Sequence, residues 1–302
     1  MKWLGFFSLL AFSFTGHAAD IEHLRRGFLN LEHPSVPAAV RQAAGAIFKI
    51  YYPAGDVEIL NLSTVQPVSS TASGADWFKN AQIQVCVQQK IENCPVAQGS
   101  GQGTAFLVRD PQTVATHFKN IRNWYRLVLL NNPNLWADDL QAPFFLINSK
   151  DKTIFNPLQT GLTLKLAFFN RTPGAFETDE TSEYVELRLS QPLNDPKPIL
   201  ESKDFDTVAP LYLVGFASPQ SQSVSVSESR LRFPLDRHAL HLHTSHDRTP
   251  GHAGGPLLNV KGEVVSVFAN SEAKQARFVS VDHGVLELFW GTLRSARTGG
   301  SF

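Results

Sequence analysis

The chain has 302 residues and a mass of 33.4 kDa, a length that suits one large all-β domain or two small lobes. Hydrophobic residues make up 43% and charged residues 18%, enough apolar side chain to fill a core, which excludes a disordered chain. Lys and Arg together number 27, as do Asp and Glu, with no basic block. That balance argues against a nucleic-acid or anionic-membrane partner held by charge.

The first element is a targeting segment. Lys2 gives a positive start, and Trp3 to Phe14 form an apolar run too short for the roughly 20 residues a bilayer span needs. The small residues Gly16 and Ala18 follow. Residues 1–19 therefore read as a cleaved secretory signal peptide, which predicts a secreted or periplasmic protein. With no second long apolar run, no membrane attachment is expected after its removal. The two cysteines, Cys86 and Cys94, are then expected to form a disulfide. The short loop they close is worth about 2–3 kcal/mol.

Residues 20–44 read as an N-terminal helical segment, with Ser35 as cap and an early proline, Pro37. Ala46 to Tyr52 alternates as a strand, ended by Pro53 and Gly55. From 53 to 98 the pattern is weak, and the segment reads as an insert pinned by the disulfide. After Gly99-Ser-Gly-Gln-Gly103 a strand begins at Thr104. Further strands are predicted at 162–169, 184–189, 211–216, 223–233, 239–243 and 263–269, with a closing helix at 284–290. Short strands punctuated by Gly and Pro indicate an all-β sandwich or barrel.

Thr249-Pro-Gly-His-Ala-Gly-Gly-Pro-Leu257 carries the strongest local signal. Its glycines allow a tight turn on which backbone N–H groups converge, as an oxyanion hole requires. Upstream, Val114-Ala-Thr-His117 follows the strand Gly103-Thr-Ala-Phe-Leu-Val, and Glu183-Tyr-Val-Glu-Leu-Arg-Leu189 follows an acidic stretch. Leu211-Tyr-Leu-Val-Gly-Phe-Ala-Ser-Pro219 reads as strand then loop.

These four pieces, in this order, resemble the chymotrypsin/trypsin-like serine peptidases, in particular their exported bacterial branch. The resemblance covers about residues 36–290. It implies two six-stranded β-barrels, an N-barrel over 45–195 carrying the 53–98 insert and a C-barrel over 205–280, within a peptidase domain over 45–302. It implies His117 at the catalytic histidine and Glu183 at the orienting acid; Asp179 or Glu180 takes that place if the strand begins earlier. The family's nucleophile is the serine of G-x-S-G-G-P, and Ala253 stands at that position. The Gly251 and Ala253 N–H groups correspond to the oxyanion hole. Asp247 sits at a spacing that selects basic substrates in trypsin-like relatives, though Arg248 lies beside it. The strand bearing Ser266 and Val267 resembles the one that pairs with substrate backbone, a route to peptide binding by strand addition that needs no nucleophile.

Alanine has no hydroxyl to attack and no proton to give His117, so covalent acyl transfer by the usual route is absent. The hydroxyls of Ser245, Thr249 and Ser266 lack the required turn. Glu183 is a second departure, since its extra methylene moves the carboxylate by about 1.5 Å unless the backbone compensates. His241 and His243 share a strand face, but no third metal ligand follows from spacing, so neither metal nor cofactor is expected. The expected function is a protease homologue, proteolytically inactive as written, that binds a peptide or protein partner. The alternatives are an active serine endopeptidase carrying a Ser-to-Ala change at 253, and a structural role worked through the insert.

Overall fold

The structure is a computed structural model. It describes residues 27–63, 75–117, 119–134, 141–142, 144–148, 154–155, 164–166, 184–202, 209–218, 221–229, 241–244, 250–269 and 276–279. The signal segment, the closing helix, Glu183, Asp179, Glu180, Asp247, Arg248, Ser245 and Thr249 lie outside the described residues.

The protein is mostly β, built from two antiparallel sheets. The first contains β2 (Ile47–Asn61), β3 (Asn93–Leu107), β4 (Thr113–His117), β5 (Gln141–Ala142), β6 (Phe145–Asn148), β7 (Ile154–Phe155), β8 (Leu164–Leu166) and β9 (Tyr184–Leu189), in the order β5-β8-β9-β4-β3-β2-β6-β7. The second contains β1 (Leu29–Asn30), β10 (Leu211–Gly215), β11 (Ser225–Ser229), β12 (His241–Thr244), β13 (Pro256–Leu258), β14 (Val264–Ala269) and β15 (Ala276–Val279), in the order β1-β11-β10-β13-β14-β15-β12. Among the described residues the two sheets hold eight and seven strands. Among the described residues, neither sheet closes through hydrogen bonds between its end strands.

Apolar residues of both sheets join one core. Ile47, Phe48, Phe106, Leu107, Val114 and Leu187 of the first are buried, as are Val214, Val226, Leu258 and Val264 of the second. The two sheets are also stitched through main chain. Arg109 N–H donates to Ile199 C=O at 2.9 Å, and Val264 N–H donates to Leu200 C=O at 2.8 Å. The 199–202 segment thereby bonds to both sheets. Arg109 reinforces it from the β3–β4 turn, its guanidinium pairing with the buried Glu186 of β9 and, at 3.3 Å, with Glu201.

The N-terminal helix is shorter than expected. Helix α1 covers Ala38–Ala43, and Pro37 rather than Ser35 is its N-cap, with no side-chain capping bond. Ser35 is spent locally, its hydroxyl on His33 at 2.7 Å.

The segment 53–98 departs most from the sequence reading. Pro53 does not end the strand: β2 runs on to Asn61 and pairs with β3 from Ile47↔Phe106 to Asn61↔Asn93, with a bulge between Ala54 and Val57. Among the described residues, β6 pairs with Phe48–Tyr51 and no strand pairs with β2 at Pro53 on that edge, where a missing N–H is tolerated. The glycine run of β3 is equally part of the ladder. A β-carbon on Gly101 would lie 2.2 Å from the ring of Tyr52, its cross-strand partner, so the aromatic ring occupies the space a side chain would need.

Helix α2 (Ala75–Gln88) packs on β3, and the Cys86–Cys94 disulfide ties its end to the start of that strand. Ala81, Gln82, Ile83, Val85 and Cys86 are all buried, so no one-sided stripe marks the helix in the sequence. Buried Gln82 acts as a strand would: its amide N donates to Ala97 C=O at 3.0 Å and its Oε1 accepts from Ala97 N–H at 2.8 Å. Helix α3 (Lys119–Asn131) follows β4 directly. Sequence reasoning missed it, although Trp124, Tyr125 and Val128 recur at helical spacing and are buried. No helix among the described residues is long and apolar enough to cross a membrane.

Candidate functional site

Strand β4 ends at His117, which is only 4% exposed and pairs in register with Tyr184 at the start of β9. Thr113 to Thr116 are buried apolar or hydroxyl residues, so the strand fixes where the imidazole emerges. His117 is thus set at the end of its strand pairing.

The glycine turn lies against this point. Pro250–His252 form a 3₁₀ turn, and Gly251 to Pro256 are buried. Thr104 of β3 anchors the turn twice: its N–H donates to Ala253 C=O at 2.8 Å, and its hydroxyl donates to Gly251 C=O at 2.7 Å. The same hydroxyl accepts from Phe216 N–H at 3.2 Å, binding the β10 loop to the site. Gly254 N–H donates to Phe268 C=O and Gly255 N–H donates to His252 C=O, both at 2.8 Å. Gly254 has φ +86° and touches the neighbouring strand backbones. Only glycine combines that backbone conformation with that approach.

The structure therefore brings His117, Gly251 and Ala253 into one neighbourhood through Thr104, Thr116 and Gly254. Ala253 is 5% exposed, and its side chain is a methyl group. Ser266 and Val267 of β14 are buried, paired with Leu257 and Pro256. β14 is flanked on its other edge by β15 at Phe268 and Ala269, and Val264 bonds to the 200–202 segment. The cysteines stand on the α2–β3 side and take no part in the site.

Several polar groups around the turn were not legible in the sequence. His252, next to Ala253, is fully buried, stacked on Phe28 at 4.9 Å, and hydrogen-bonded to Ser225 Oγ at 3.0 Å. Ser225 Oγ also lies 3.2 Å from Gly215 C=O, to which it can donate. Lys49 of β2 is buried, donates to Ser221 C=O at 2.6 Å and lies 5.1 Å from the Phe216 ring centre. It ties the 216–221 loop to the first sheet. Burial pushes the Tyr51 and Tyr52 hydroxyls upward in pKa. The signals for His252 and Lys49 are long-range, between residues over 20 and over 170 positions apart.

Neither a protein-family model nor a curated protein sequence matches the chain. Among solved structures it is similar to the Rv3671c protease in its inactive form, at 11% identity and TM-score 0.47, over 85% of this chain and 93% of that one. It is similar to the active form of the Rv3671c protease from M. tuberculosis at 13% identity and TM-score 0.47, over 85% and 84% of the two chains. The serine endoprotease from Yersinia pestis gives 11% identity and TM-score 0.49, over 85% of this chain and 66% of that one.

Proposed function

We propose that the protein is an exported, secreted or periplasmic homologue of the chymotrypsin-like serine peptidases, with two barrels and a site at their junction. Ala253 stands at the nucleophile position, His117 at the base and Glu183 at the acid, with Gly251 and Ala253 N–H groups as the oxyanion hole. The chain as written does not perform proteolysis. It binds a peptide or protein partner across Ser266 and Val267, with Asp247 at the pocket that would receive a side chain.

The observation that carries this reading is the docking of the Gly251–Gly255 turn onto Thr104 and the His117 end of β4. In a peptidase of this design, a serine at 253 would pass its proton to His117 as it attacks a carbonyl carbon, and the turn's N–H groups would hold the resulting oxyanion. A methyl group cannot do this. Loss of the nucleophile alone costs on the order of 10⁶ in turnover where it has been measured in a relative of the mechanism.

The test is casein cleavage by the mature protein beside Ala253→Ser, with His117→Ala in the serine background. The expected result is an inert parent, cleavage by Ala253→Ser, and its loss with His117→Ala. Cleavage by the parent that depends on His117 overturns the inactive reading. A folded but inert Ala253→Ser variant overturns the peptidase geometry itself.

A further inference from the structure

The turn that carries Ala253 reads Gly251-His-Ala-Gly-Gly255, and His252 is its one side chain longer than a methyl group. Glycine and alanine offer no side chain through which neighbours can hold the chain. Thr104 fixes the carbonyls of Gly251 and Ala253, and His252 is left to set the rotation of the peptide units between them. Its imidazole is 0% exposed and is gripped from several sides. Ser225 Oγ of β11 lies 3.0 Å from its Nε2. The Phe28 ring stacks on it, with centroids 4.9 Å apart and planes at 29°. A β-carbon on Gly215 of β10 would stand 3.1 Å from its Cδ2, so that strand closes a further side.

Phe28 arrives from the other end of the chain. It is 1% exposed and directly precedes β1, which pairs with β11 as Leu29↔Val226 and Asn30↔Ser225. Asn30 is therefore opposite the residue whose hydroxyl meets His252. From β1 the chain turns through His33, whose N–H donates to Asn30 C=O at 2.9 Å, and passes by α1 into β2 of the first sheet. Val36 and Val40 sink into the shared core, and a β-carbon on Gly262 would stand 2.5 Å from Ala39 C=O. Residues 28–46 thus form a strap that runs from the second sheet to the first. Phe28 is the point at which the strap touches the Ala253 turn. The Phe28 and Ser225 contacts with His252 are made by side chains, and neither involves a terminal amine.

We propose that Phe28 is a positioning residue for the Ala253 turn. Its stack, with the Ser225 hydrogen bond, holds His252, and His252 holds the flanking Gly251 and Ala253 N–H groups in their convergent arrangement. The inference deepens the peptidase-homologue reading and rests on it, since those two N–H groups are its oxyanion hole. Phe28 acts through His252 and meets no substrate. An aromatic stack of this kind is worth up to about tenfold in a local opening equilibrium, so its loss loosens the turn while β4 stays closed.

The test uses Phe28→Leu, which keeps apolar bulk and removes the ring. Hydrogen exchange with fragmentation mass spectrometry on the full mature chain reads Gly254 and Gly255, whose N–H groups donate to Phe268 and His252 carbonyls. The expected result is exchange about tenfold faster at these two amides, relative to Thr113–His117 in the same protein. The second readout is peptide cleavage by the Ala253→Ser protein with and without Phe28→Leu. Here kcat is expected to fall about tenfold with KM held within about twofold, because the N–H groups matter most in the transition state. Turn exchange that is unchanged, or that rises only in step with Thr113–His117, overturns the proposal. So does an unchanged kcat in a protein whose turn has loosened. If the Ala253→Ser protein is inert, the peptidase reading fails, and the exchange ratio alone supports or overturns the latch.

Discussion

Gly254 backs onto the main-chain nitrogen of His117: a β-carbon at position 254 would stand 2.8 Å from that nitrogen, 2.2 Å from Thr104 C=O and 2.3 Å from Thr116 Oγ1. The turn that carries Ala253 and the strand that carries His117 are therefore in register because one residue has no side chain. Gly254→Ala adds a methyl group against rigid backbone and forces an unfavourable φ of +86°. It is expected to lower stability by about 3 kcal/mol. Urea denaturation of the two proteins checks this. A Gly254→Ala variant as stable as the parent would show that the turn can lift from His117 at little cost.

The Arg109–Glu186 pair predicts a non-additive mutant cycle. Glu186 is buried, Arg109 is 28% exposed, and Glu201 completes the cluster at the junction of the sheets. Arg109→Met leaves the Glu186 carboxylate in the protein interior without its principal counter-charge. The expected loss is about 2–3 kcal/mol, below the value for a fully buried pair because the guanidinium keeps contact with water. Adding Glu186→Leu is expected to recover at least half of it, since a leucine needs no partner. Chemical denaturation of both single variants and the double variant measures the coupling. Strict additivity would sink this account.

Asp110 predicts an acid limb in the stability curve. Partial burial raises its pKa, but the Gln112 N–H, the Thr113 hydroxyl, Arg188 and the Thr113 N–H outweigh burial and hold it below the usual 3.8. The folded pKa is thus depressed relative to the unfolded one. Its contribution is full above the unfolded value and is lost as pH falls through the folded value. The stability advantage of the parent over Asp110→Asn should accordingly be constant near neutrality and shrink below about pH 3.8. Thermal melts from pH 7 down to pH 2.5 follow it. A gap that widens on acidification would contradict the sign.

Removal of the Cys86–Cys94 bridge should loosen the hairpin arm. The cysteines are 8 residues apart, joining the end of α2 to the start of β3. Replacing both with Ala is expected to cost about 2–3 kcal/mol. Faster amide exchange should follow in α2 and at Asn93–Ala97, with Thr113–His117 unchanged. Hydrogen exchange read by mass spectrometry checks the location, and equal loosening of β4 would show that the arm and the site share one unfolding unit.

The sequence by itself determined the strands that carry strong alternation or apolar runs. β9 matches its expected bounds of 184–189, and β10 and β14 fall within one residue of theirs, because each buries a continuous apolar face. It also determined the glycine turn and the absence of a hydroxyl at position 253, which are local facts of covalent chemistry. Only the tertiary structure decided the rest. Gly101 lies inside a long strand because the ring of its cross-strand partner Tyr52 fills the space a side chain would need. Helix α2 hides in the sequence because it is buried on more than one side. Thr104 anchors a turn about 150 residues away, Arg109 joins Glu186 to Glu201, and His252 is locked by Phe28 and Ser225. Each of these depends on pairings between distant segments, and residue-by-residue propensity does not encode which distant segment will arrive.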